Sequence, residues 1–144
     1  VYDGAFERKI MTHTNRTNIA FYQQLGQIFY AIAAADKVIR KEELDTLKTI
    51  IRSEWLDVDQ ATDEFGTDAA FQIEVVFDWL DDQQSSSSNA LRSLQAFKKD
   101  HPSFFTTSVN ELIFKTAAAI AFSFYGGNKS ELTMLDQLET ILLK

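Results

Sequence analysis

The chain contains no cysteine, one proline and five glycines among 144 residues, and each scarcity closes off a chemistry or an architecture. Without cysteine there is no disulfide framework, no thiolate nucleophile and no cysteine-ligated zinc or iron–sulfur centre. So little proline and glycine leaves too few turn-formers for an all-β sandwich and shifts the expectation to long helices. Long hydrophobic runs are missing as well. The longest uninterrupted apolar stretch, Ile28 to Ala35, has eight residues, against the ~18 to 20 that span a bilayer. The chain opens with Val1, and no short basic stretch followed by an apolar one is visible near it, so the expectation is a cytoplasmic protein without a transmembrane segment or signal peptide.

What is present is ordinary for a folded domain: 45% hydrophobic and 24% charged residues, with a length that can bury roughly 68 to 70% of the unfolded surface around one core. The formal charge of −7 is unevenly spread. Residues 54–91 hold ten acids and no Lys or Arg, leaving 11 acids against 14 bases, or +3, elsewhere. An acidic stretch of this kind is either a solvated face or a docking surface for a basic partner or a cation, and it argues against direct nucleic-acid binding.

Apolar periodicity places the helices. Phe21, Leu25, Ile28, Phe29 and Ile32 share one face of a helix over 17–35, and Leu44, Leu47, Ile51 and Trp55 share one face of a second over 41–55. Phe71, Val75, Val76, Trp79 and Leu80 carry a third helix ending near Asp82, with Thr67 or Asp68 able to cap its start. Gln83 to Asn89, with four consecutive serines, reads as a loop. Leu91, Leu94 and Phe97 make a shorter helix that must stop by His101, ahead of Pro102. Ser108 to Glu111 fits a capping box opening a helix from Val109 to about Tyr125, where Gly126 or Gly127 ends it. Asn128 to Glu131 repeats the capping pattern and opens a last helix with Leu132, Leu135, Leu138 and Leu142 inward. The fold class expected is all-α: a single bundle of six to eight helices.

Sliding the chain by 88 residues lays Leu25 on Ile113, Ile32 on Ile120, Ala33 on Ala121, Glu43 on Glu131, Leu44 on Leu132, Leu47 on Leu135 and Ile50 on Leu138, without gaps. Apolar matches alone can arise from shared helical spacing, but the common Glu-Leu-x-x-Leu after an alanine-rich helix points to an internal duplication. The expected organisation is one domain, with two pseudo-symmetric helical hairpins at about 17–55 and 108–144 joined by an acidic segment at about 56–100.

The stretch Ala34-Ala35-Asp36-Lys37-Val38-Ile39-Arg40-Lys41-Glu42-Glu43-Leu44 resembles the signature of the tellurite-resistance TerB family, in which an alanine-rich helix ends in Ala-Asp-Gly and a Glu opens the next helix. The resemblance implies an all-helical, pseudo-symmetric fold, a place in stress-response and peripheral membrane-associated complexes, and a divalent cation held by acidic residues. Carried over, those residues are Asp36 and Glu43 in the first half and Glu131 in the second. Lys37 stands where the family has Gly, and Phe124 stands where the second half would supply its acid.

Read from local chemistry alone, Asp36 can bond the amides of its turn and Glu43 can cap the following helix without any metal, because a carboxylate is favoured at a helix N-terminus. A hard cation wants about six oxygen ligands, so two carboxylates would make only a weak site. Asp57, Asp59, Asp63 and Asp68 fall at the first, third, seventh and twelfth positions of a calcium-loop pattern, but Ala61 and Thr62 occupy its fifth and sixth, where a ligand and a glycine are needed. Asp100, His101 and Ser103 lack an oxyanion donor and a glycine-rich elbow, and His13 has no obvious partner. No nucleophile, base and orienter can be assembled, so the expectation is a protein that is not an enzyme. Three functions fit: a TerB-like interaction module whose acidic segment docks a basic protein, a cation-binding protein using Asp36 and Glu43, or an acidic immunity or decoy protein. In the first and third, Asp78, Asp81, Asp82 and Phe77 are the expected partner-binding residues, an apolar centre with an acidic rim.

Overall fold

Residues 19–35, 39, 41–55, 69–83, 89–123 and 129–143 are described by a computed structural model, and all regular structure among them is helical. Helix α1 covers residues 19–33. Helix α2 (Lys41–Ile50) runs on into a π-helical turn, Ile51–Trp55. A 3₁₀ turn, Ala69–Phe71, leads into α3 (Gln72–Gln83). Helix α4 (Ala90–Asp100) is followed by a 3₁₀ turn, Pro102–Phe104, then α5 (Thr107–Ala121) and α6 (Lys129–Leu143). Six α-helices among the described residues make an all-α bundle, as the periodicity predicts.

Shifted by 88 residues, α5 lies on the described residues 19–33, and α6 lies on α2 plus its π-turn, residues 41–55. Leu25 and Ile113, Ile32 and Ile120, Ala33 and Ala121, and Leu47 and Leu135 are all buried. The two hairpins are joined into one core, because α5 packs against α2 of the first half as well as against α6 of its own. Trp55 lies wholly buried at that joint, edge-on to Tyr22 and Phe29 at 6.2 and 6.5 Å, with its indole N–H donated to Thr116 Oγ1 at 2.9 Å. Such ring pairs add to area burial, and the hydrogen bond satisfies the one polar atom of the indole. Phe21 stacks on Phe104 at 4.8 Å and meets Phe105 edge-on at 5.5 Å, which ties α1 to the turn before α5.

Three local expectations are corrected. The N-cap of α5 is Thr106, whose Oγ1 accepts from the Val109 amide at 3.2 Å, and the helix begins before the expected Ser108 box. That helix ends at Ala121, with the Phe122 amide donated to the Ala118 carbonyl at 2.9 Å; Gly126, Gly127 and Tyr125 lie outside the described residues. In α6 the inward stripe is Glu131, Leu135, Leu138 and Leu142, which leaves Leu132 at 41% exposure rather than in the core. Steps of four, three and four hold one face of a helix, and Leu132 falls off it.

Candidate functional site

Ile73 and Phe77, one turn apart, are wholly buried, and the Phe77 ring meets Tyr30 of α1 edge-on at 5.7 Å. The approach is close because α1 offers a glycine: a Cβ on Gly26 would lie 2.9 Å from both the Ile73 carbonyl oxygen and Val76 Cβ. Phe77 is therefore core and not the apolar anchor of a partner surface, since it shares the Ile73 stripe that faces α1.

The opposite face of α3 carries Val75, Asp78, Trp79 and Asp82 at steps of three, one and three, all exposed. Val75 is 55% and Trp79 59% exposed. Of the expected acidic residues, Asp78 and Asp82 stand on this face, whereas Asp81 is half-buried at the joint with α1. There burial, and next the Asp81 charge, push the Tyr30 hydroxyl above its ordinary range. The helical spacing places Trp79 on this helix without setting which way it faces. Apolar residues occur on every side of α3, so period alone does not orient it.

Glu74, buried on the same helix, faces the π-turn, with Oε1 3.8 Å from Arg52 Nη2 and Oε2 without a hydrogen-bond partner. Burial pushes its carboxyl up, the Arg52 and Lys48 charges pull it back, and Asp78 adds to the rise. Desolvation wins.

Of the carboxylates expected to hold a cation, Asp36 lies outside the described residues. Glu43 and Glu131 are the third residues of α2 and α6, stand at equivalent positions of the repeat and are each 1% exposed. No three His, Asp or Glu side chains converge among the described residues, so these residues by themselves fall short of the roughly six oxygens a hard cation takes. Asp57 to Asp68 and His13 lie outside the described residues. His101 is packed, not poised: its ring lies 4.6 Å from Phe97 and 6.3 Å from Phe104. No described helix is long and apolar enough to cross a membrane. Comparison of the chain with protein-family models, curated proteins and solved structures found no match.

Proposed function

We propose that this chain is a non-enzymatic interaction module of TerB-like type, serving a cytoplasmic stress-response or tellurite-resistance system by docking a basic protein on the outward face of α3. One observation carries the reading: Trp79 and Val75 stand more than half exposed, with Asp78 and Asp82 beside them. An exposed indole flanked by carboxylates is the anatomy of an interface centre with a charged rim. The rim sets the association rate and the indole the residence time. An acidic immunity or decoy role uses the same face, with a toxin or nuclease as the basic partner. Partners captured from native lysate with the intact chain, then titrated with salt, test the reading. Asp78→Lys with Asp82→Lys is expected to slow association and flatten its salt dependence, and Trp79→Ala to speed dissociation. A partner whose kinetics ignore both variants docks elsewhere.

The second reading, a weak divalent-cation site using Asp36, Glu43 and Glu131, draws on the matched burial of Glu43 and Glu131. Calorimetric titration with calcium, magnesium, manganese and zinc tests it. Saturable heat that Glu43→Gln removes supports it, and no heat from any of the four rejects it.

A further inference from the structure

The 88-residue repeat places two equivalent seams on the molecule, and α3 covers one of them. Along the seam between α1 and the end of α2, α3 lies against Gly26, its Phe77 meets Tyr30, its Glu74 faces Arg52, and the turn Ala69–Phe71 packs on Ile51–Trp55. In the second half, Gly26, Tyr30, Ile51 and Trp55 become Phe114, Ala118, Glu139 and Leu143. That is the seam between α5 and α6, and no described helix covers it. A groove of about 460 Å³ opens there, walled by Phe114, Leu142 and Leu143 and rimmed by Glu111 and Glu139, with Leu143 80% exposed.

We propose that this groove seats an amphipathic helix of a partner protein, apolar on one face and basic along its flanks. The helical shape follows from the covered seam, where a helix with apolar residues at 73, 76 and 77 is the occupant. The basic charge follows from a reversal between the halves. On the covered seam α2 offers Lys48 and Arg52 to an acidic α3; their counterparts on α6 are Asp136 and Thr140, both exposed, and Glu111 and Glu139 add to the negative rim. Among the described residues that line the groove the one cation, Lys115, is held by Glu54 at 2.7 Å. A second copy's α3, carrying Glu74 and Asp78, meets like charge in this groove, so the fit is to a foreign basic helix.

The seat is preformed. Lys98 Nζ donates to the Ile141 and Leu142 carbonyls at 2.7 and 2.9 Å, and Asn110 Nδ2 donates to the Leu142 and Phe105 carbonyls at 3.3 Å each, which fixes the last turn of α6. Asn110 Oδ1 is buried behind the wall without a hydrogen-bond partner. Phe114 stands where Gly26 admits α3, so the occupant rides further out, on the ring. This surface shares no residue with the outward face of α3 and does not depend on that reading.

The test uses a labelled peptide of residues 69–83 carrying Glu74→Lys, Asp78→Lys, Asp81→Lys and Asp82→Lys, titrated with the full chain by fluorescence anisotropy, beside a peptide of the unaltered acidic sequence. The lysine peptide is expected to bind saturably and the acidic one not. Leu143→Asp, and separately Asp136→Lys with Glu139→Lys, are expected to weaken binding by about tenfold or more, whereas Asp78→Lys with Asp82→Lys on α3 leaves it within about twofold. The positions changed in the full chain are all exposed, and circular dichroism checks that the variants stay folded. The proposal is overturned by absent binding, by equal binding of both peptides, by indifference to Leu143→Asp, or by a loss confined to the α3 variant. It is also overturned by a doubled mass in sedimentation that Leu143→Asp abolishes, or by nuclear Overhauser contacts from residues 1–18 to Leu143, which assign the groove to a second copy or to the chain's own first residues.

Discussion

Single atoms decide how closely α3 can lie on α1. Gly26→Ala should gain up to about 1 kcal/mol of helix propensity, yet the new methyl would meet the Ile73 carbonyl and Val76 Cβ at 2.9 Å. Neither neighbour is the far end of a flexible side chain, so the helices must separate, and overpacking of this kind costs about 1 to 3 kcal/mol. A net loss of stability in urea unfolding is the expected outcome; a gain would show that α3 yields freely. Thr116 gives a second test at the joint of the two halves. It accepts the Trp55 indole N–H and donates onward to the Leu112 carbonyl at 2.8 Å. Thr116→Val keeps the shape but strands a buried donor, at a cost of about 1 to 3 kcal/mol. Glu74 gives a third. Its carboxyl is raised above the ordinary 4.5, chiefly by burial, so the folded state holds the proton more tightly than the unfolded chain. The stability this contributes is fully present below the unfolded value and is lost as pH rises through the folded one. Glu74→Gln should therefore be more stable than the parent at neutral pH and converge with it below about pH 4.5. Unfolding free energies that stay parallel from acid to neutral pH would remove Glu74 as the cause.

Helix ends are where single residues become properties of an element. The last turn of α6 has orphan carbonyls, and Lys98 of α4 reaches across to two of them while its ammonium lies 5.9 Å from the centre of the Phe105 ring. Lys98→Met keeps the stem and removes the donor. It should cost about 1.5 to 3 kcal/mol and speed amide exchange in the last turn of α6 while leaving mid-helix amides protected. Uniform exchange across α6 would mean that packing, not this cap, holds the end. Caps were also where the sequence misled. Thr106, Thr107 and Ser108 offer three hydroxyls in a row, and the Ser108 to Glu111 spacing fits the capping template best. The structure chooses Thr106 because Phe105 is anchored between the Phe21 and Phe97 rings, and the backbone at Thr106 is extended, φ −68°, ψ 164°. Tertiary anchoring, which no local pattern encodes, sets the frame. The existence of the helices was legible, because Phe21 to Ile32 and Leu44 to Trp55 repeat at helical spacing over several turns. The facing of α3 was not: Ile73, Val75, Val76, Phe77, Trp79 and Leu80 surround it, and the choice among them is made by Gly26, some fifty residues away. The candidate site inherits that ambiguity: the sequence reading assigns Phe77 to the partner surface and does not single out Trp79. Glu43 and Glu131 were legible as a matched pair through the 88-residue shift, though nothing local said that both would be buried while Leu132 was not.

At the scale of the molecule, the repeat consists of halves that complete each other. Helix α2 of the first half packs on α5 of the second, and Trp55 reaches Thr116 across that joint. The buried Ile113, Thr116 and Ala117 of α5 belong to a helix held by α2 on one side and α6 on the other. Cut between the hairpins, each piece would expose such a face to water. The shorter piece, residues 89–144, falls in the range of roughly 60 residues that buries only about 60% of its unfolded surface and is marginal even with a face of its own to close on. Residues 1–88 and 89–144 made separately should therefore show little cooperative unfolding, and mixed they should regain helical signal. In a Trp79→Phe background the only remaining indole is Trp55, whose emission should move to shorter wavelength on mixing as the ring returns to its buried seat. The intact chain, on the same argument, should unfold in one transition seen alike by circular dichroism and by Trp55 fluorescence. A sharp unfolding transition in residues 89–144 alone would show that α5 and α6 close on each other unaided. The joint at Trp55 would then be a contact between two independent units rather than the core of one.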